Sequence, residues 1–166
     1  MVRKGTSRMR RTSSAAMSVP GDRVLRYAAA VYAVGFVLHN ADHVRRGAGG
    51  LTREVVWAGI ASGVLTVAAI AVAVIGHRLA PLIAVVTGFP AALGVTVVHL
   101  LPHWSALSDA FPGASVSALS WAAVLLEITG ALVFGAAGVY VLRRGQVGER
   151  AAGPQRLQIA GVGPSS

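Results

Sequence analysis

Cysteine is absent from this chain of 166 residues, which excludes disulfides, thiolate metal sites, iron–sulfur clusters and cysteine nucleophiles together. Lysine occurs once, as Lys4, beside many arginines, and Ala, Val and Gly abound, a bias associated with GC-rich bacterial genomes. All three methionines, Met1, Met9 and Met17, precede the first apolar run. A soft Cu(I) site in the apolar segments would therefore have no sulfur ligand. Charge itself is scarce: 13% of residues are charged and 54% are hydrophobic, too apolar a balance for a typical soluble domain. The surplus of apolar side chains must face lipid.

Acidic residues are few, six against fifteen Lys plus Arg. Such basicity can signal nucleic acid, but these residues sit mainly in the tails and beside apolar runs. That placement fits anionic lipid headgroups and topology control, with no nucleic-acid partner.

The organisation expected is all-α, a four-transmembrane-helix bundle over 23–144 between two disordered segments, 1–22 and 145–166. The first segment is basic, Ser/Thr-rich and without apolar periodicity, and Met17 is an alternative start. A signal peptide is the rival reading of the run that follows. No small-x-small cleavage site succeeds Leu38, so an uncleaved first helix of about 24–44 is preferred. The second span, about 55–76, is uncharged and long enough for a hydrocarbon core of roughly 30 Å. The third, 79–101, contains Pro90, which lacks a backbone donor and should kink it. The fourth, 118–142, carries Glu127 alone and stops at Arg143 and Arg144.

Orientation follows from the basic residues flanking the spans. Twelve, from Arg3 to Arg26, at Arg78, and from Arg143 to Arg156, belong on one side; three, Arg45, Arg46 and Arg53, fall on the other. The termini are therefore expected in the cytoplasm, in a multi-pass protein of the cell membrane. Trp57, Trp104 and Trp121 fall at the opposite, extracytoplasmic interface, where indoles prefer to sit.

With that topology the first and third helices both run outward, and two distant motifs become neighbours. These are His39-Asn40-Ala41-Asp42-His43 and His99-Leu100-Leu101-Pro102-His103. Positions i, i+3 and i+4 share a helix face, so His39, Asp42 and His43 project together, with Arg46 a turn further out. His99 and His103 repeat the i, i+4 spacing, although Pro102 opens the last turn. Glu127 lies on a small-residue stripe with Ala123, Gly130, Ala131, Phe134 and Gly138, which turns it toward the bundle.

Imidazole and carboxylate donors suit Zn, Fe, Mn or Cu(II). The candidate metal ligands are His39, Asp42, His43, His99, His103 and Glu127; those that do not bind can hold a tautomer or act as a base. Neither the His-Glu-x-x-His nor the Glu-x-x-His pattern is present. If the site is catalytic, metal-assisted hydrolysis or oxidation of a lipid-borne or periplasmic substrate fits best. A transporter with Glu127 as a proton site, which four spans could form only as an oligomer, is a further reading, and two others stand beside it. One is a haem b carrier with His39 and His99 as axial ligands; the other is a non-catalytic accessory subunit whose histidines bond at the interface and whose Gly/Ala-rich spans pack on a membrane partner or a second copy. Asp109 reads as turn chemistry in Ser108-Asp109-Ala110-Phe111-Pro112-Gly113.

With its four short spans and arginine-rich tails, the chain resembles in style the small uncharacterised membrane proteins of high-GC, actinobacterial-type bacteria. The resemblance implies the bundle and no activity.

Overall fold

A computed structural model describes residues 20–47, 49 and 51–160, with side chains from 23 to 147 within that range. Its described residues form four helices and no strand: α1 Pro20–Arg46, α2 Arg53–Ile75, α3 Ala80–His99 and α4 Ala118–Ala160. All four are long and apolar enough to cross a membrane. A helix satisfies its own backbone groups, which is what a segment in hydrocarbon requires. Large apolar side chains point outward on every helix, among them Val37, Leu65, Leu93 and Leu119. In water they would be an aggregation liability; against acyl chains they are ordinary.

The helix ends have local causes. Pro20 opens α1, its fixed φ being already helical. Thr52 caps α2 by accepting from the Val55 N–H at 3.2 Å. Gly76, at φ 72°, ends α2 in the left-handed conformation that favours glycine. α3 continues through Pro90 and is two residues shorter at its end than the expected span. α4 continues beyond Leu142, as far as Ala160. Arg143 and Arg144 mark where its apolar stretch ends, but leaving an apolar region does not oblige a helix to stop. The basic arm up to residue 19, and residues 161–166, lie outside the described residues.

α4 is the centre of the bundle: half of its apolar window is buried, against 17% for α2 and for α3. It packs on α1 and α3 through glycines. A Cβ built on Gly35 would fall 2.7 Å from Glu127 Cα, and one on Gly130 would fall 2.8 Å from Tyr32 Cα. On the other side, a Cβ on Gly88 would meet Ala131 O at 2.6 Å and one on Gly138 would meet Pro81 O at 2.5 Å. Backbones can approach this closely only where the side chain is a hydrogen. These pairings also fix direction, because residue numbers rise along α1 and α3 as they fall along α4. Thus α1 and α3 are parallel and end at the same end of the bundle.

α2 is attached by less. Tyr32 Oη and Thr66 Oγ1 share a hydrogen bond of 3.0 Å, and Phe36 packs against Gly63. Above that seam α1, α2 and α3 line a cavity of about 910 Å³. Trp57, Trp104 and Trp121 lie at the end where α1 and α3 finish, and exposed Tyr27 and Tyr140 lie at the other.

Candidate metal centre

The last two turns of α1 and the last turn of α3 bring three imidazoles together. Ring centroids are 4.5 Å apart for His39–His43, 4.8 Å for His39–His99 and 5.4 Å for His43–His99. One donor nitrogen from each lies within 4.8 Å of the other two. His39 and His99 are buried and His43 is half-buried. The i, i+4 step within one helix places His39 Nε2 and His43 Nε2 3.0 Å apart. Two nitrogens on a tetrahedral ion with bonds of about 2.05 Å would be roughly 3.3 Å apart. The helical pair is close to that separation without rearrangement.

Glu127 reaches the cluster from α4, with Oε2 3.8 Å from His39 Nε2. It sits there because Gly35, one turn before His39, lets α4 backbone come against α1. Glu127 is 5% exposed, and neither its Oε2 nor His39 Nδ1 has a hydrogen-bond partner. An unpaired buried carboxylate oxygen is costly. Beside three imidazoles it is a position where a cation, or a group that donates hydrogen bonds, would be stabilised.

Behind the imidazoles lies a network of charges. Asp42 is buried and takes both arginines: Arg45 Nη2 donates to Oδ1 at 2.7 Å and Arg46 Nε donates to Oδ2 at 3.1 Å. Arg45 also donates to Ser117 Oγ and Ser120 Oγ, tying α1 to the start of α4. Arg46 crosses to the connection between α3 and α4, donating to Asp109 Oδ2 at 2.9 Å and packing over the Phe111 ring. The two basic residues that count most awkwardly against the expected orientation are thus both engaged with carboxylates.

Asp109 holds His99 as well. His99 Nδ1 lies 3.1 Å from the Asp109 carbonyl and 3.4 Å from Oδ2. A neutral His99 donating from Nδ1 to that carbonyl leaves its Nε2 lone pair free. The segment is fastened to α3 by Asp109 N–H donating to Val98 O and Phe111 N–H to His99 O. Phe111, 1% exposed, wedges between His99 and Trp121.

Four of the six residues expected as ligands therefore converge: His39, His43, His99 and Glu127. Asp42 points into the arginines instead, because Arg45 at i+3 and Arg46 at i+4 both reach it first. His103 is exposed in the connection after α3, outside the group of converging donors. α3 ends at His99, so the i, i+4 relation that would have stacked His103 over it is lost before Pro102. Asp109, which reads from sequence as a turn residue, is the addition. The sequence offered only a charge cue, since apart from His103 it is the one ionisable residue in a connection at the same end of the bundle as Arg45 and Arg46, and no spacing ties it to α3.

No family model, no curated protein and no solved structure matches the chain. The geometry above carries the functional reading by itself.

Proposed function

We propose that this is a multi-pass protein of the cell membrane that holds a divalent metal ion on His39, His43 and His99, near the extracytoplasmic face, with both termini in the cytoplasm. The observation that carries the reading is the convergence of three imidazole nitrogens beside a buried carboxylate oxygen that has no other partner. Three protein nitrogens with a fourth position open is the arrangement of reactive rather than purely structural zinc sites. Glu127 then either completes the shell or stays beside it as an acceptor. The orientation rests on the count of twelve basic residues against three; Arg45 and Arg46, two of the three, have a structural task at the outer end in binding Asp42 and Asp109.

One proton stands between the imidazoles and capture. With Arg46 Nη2 donating to His43 Nδ1 at 3.1 Å, the His43 proton sits on Nε2 and donates to His39. Coordination needs both of those lone pairs, so this proton must leave, or move to Nδ1 as Arg46 Nη2 gives up that nitrogen and Asp109 Oδ2, 3.9 Å away, becomes its acceptor. The same geometry disfavours a haem held between His39 and His99. Axial imidazoles lie on opposite sides of a macrocycle, whereas these rings meet at 75° with His43 against both.

Elemental analysis of purified protein tests the reading. The expected result is near-stoichiometric divalent metal in the native chain and its loss from a His39→Ala, His99→Ala double variant that still folds. A native protein that is metal-free and resists loading with Zn²⁺ or Co²⁺ would overturn it and favour the accessory-subunit role.

A further inference from the structure

The cavity beside the histidines is built for more than an ion. Its 910 Å³ is near the upper end of the range of small-molecule pockets, roughly 300–1,000 Å³. Along α3 it extends from His99 down to Val86, about 20 Å of helix rise at 1.5 Å per residue. Its imidazole and charged lining groups are His39, His43, His99 and Glu127, all in the one cluster; the remaining wall is mostly aliphatic, with Phe36, the Asn40 amide and scattered hydroxyls. Ile60, Leu65 and Val86 line it and are themselves 51, 65 and 59% exposed, so its mouth faces sideways, into the apolar surroundings of the bundle. Gly59 and Gly94 also line it, and a Cβ on either would meet nothing within 4 Å. A long slot that is polar at one end and open laterally matches an amphiphile entering from the bilayer.

The unpaired Glu127 Oε2 specifies the head group. An occupant meets an acceptor oxygen and, on the reading above, an open metal position within a few ångströms of each other. We infer that the site takes a single-chain lipid whose head presents a metal-binding oxygen beside an O–H or N–H donor, with the chain lying between α2 and α3. The donor satisfies Glu127, the oxygen takes the open position, and the chain fills the slot. This rests on the metal site proposed above.

Hydroxamates have such a head, and Co²⁺ reports on it through its visible d–d bands. The full chain in detergent is loaded with Co²⁺ and titrated with dodecanohydroxamate and with acetohydroxamate. The long-chain probe is expected to half-saturate the spectral change at a concentration lower by at least about tenfold, as burial of several methylenes requires. Gly94→Leu, which fills the slot without touching a ligand, is expected to reduce that ratio below about threefold while Co²⁺ binding and the acetohydroxamate response stay unchanged. Gly59→Leu, on the opposite wall, should do the same and stands in if Gly94→Leu does not fold. Equal responses to both probes, or a preference that survives both variants and so reflects micelle partitioning, overturns the lipid inference and leaves the metal site intact. Failure to bind Co²⁺ at all overturns both.

Discussion

The two sides of this bundle use the same small residues to opposite ends. Between α4 and its neighbours, glycine removes a side chain so that backbones can touch; at Gly35, Gly88, Gly130 and Gly138 an added Cβ would sit under 3.0 Å from the facing helix. Between α2 and α3, Gly59 and Gly94 face open space instead. Composition alone does not separate these roles, because each helix is Gly/Ala-rich. What separates them is α4, whose stripe of Ala123, Gly130, Ala131 and Phe134 is buried on both flanks, while α2 joins the core mainly at Ala69 and Ala73, on the far side of the Tyr32–Thr66 bond from the histidines, and borders the cavity above it. One side is a rigid frame that presents His39, His99 and Glu127 at fixed separations. The other is held off from the frame and leaves room.

The largest effect that would break this comparison comes from equal substitutions on the two sides. Gly130→Leu puts a side chain into the Tyr32 backbone and is expected to cost at least about 3 kcal/mol or abolish folding, since overpacking against backbone has no rotamer to relax into. Gly59→Leu is expected to leave stability within about 1 kcal/mol, helix propensity favouring leucine over glycine by a similar amount. Unfolding in mixed micelles under increasing SDS measures both. Similar losses for the two variants would show that α2 is packed as tightly as α4.

Next in size is Asp109→Ala, which tests how the metal end of the frame is held. Removing the carboxylate unpairs one side of Arg46 and takes away the acceptor near His43 Nδ1 and His99 Nδ1. The expected cost is about 1–3 kcal/mol of stability. Affinity for Zn²⁺, followed by competition with a chelator, is expected to fall about 10-fold, because the Asp109 carbonyl that holds His99 is kept and the carboxylate acts on His43 through Arg46. His103→Ala, two residues before the Ser105–Ser108 turn and exposed, should change neither quantity.

Four helices follow from four long apolar runs, and the meeting of His39 with His99 follows from span parity: the first and third segments of an antiparallel series must end together. Helical spacing likewise places His39 and His43 on one face. Three things were hidden. Asp42 has two basic neighbours at i+3 and i+4, and spacing cannot say whether a carboxylate turns to them or to the histidines. Asp109 lies in a connection, where the backbone bonds to Val98 and His99 that return it to α3 leave no periodic trace. The opening between α2 and α3 at the histidine end was invisible because α2 is apolar all round, so its sequence does not say which face meets protein and which meets lipid.

The smallest test concerns the seam that joins the two sides. Tyr32 and Thr66 are both buried, and their hydroxyls form the hydrogen bond that links the frame to α2 below the cavity. Hydrogen bonds between membrane helices average about 0.6 kcal/mol when measured by double-mutant cycles, because the unfolded helices also find partners. Tyr32→Phe keeps the ring against Phe134 and removes only the hydroxyl, so its expected cost is about that figure, close to the resolution of SDS unfolding. A Tyr32→Phe, Thr66→Val cycle isolates the pair. A coupling several times larger would mean that this bond, rather than apolar contact, sets the position of α2, and that the width of the cavity is determined at its floor.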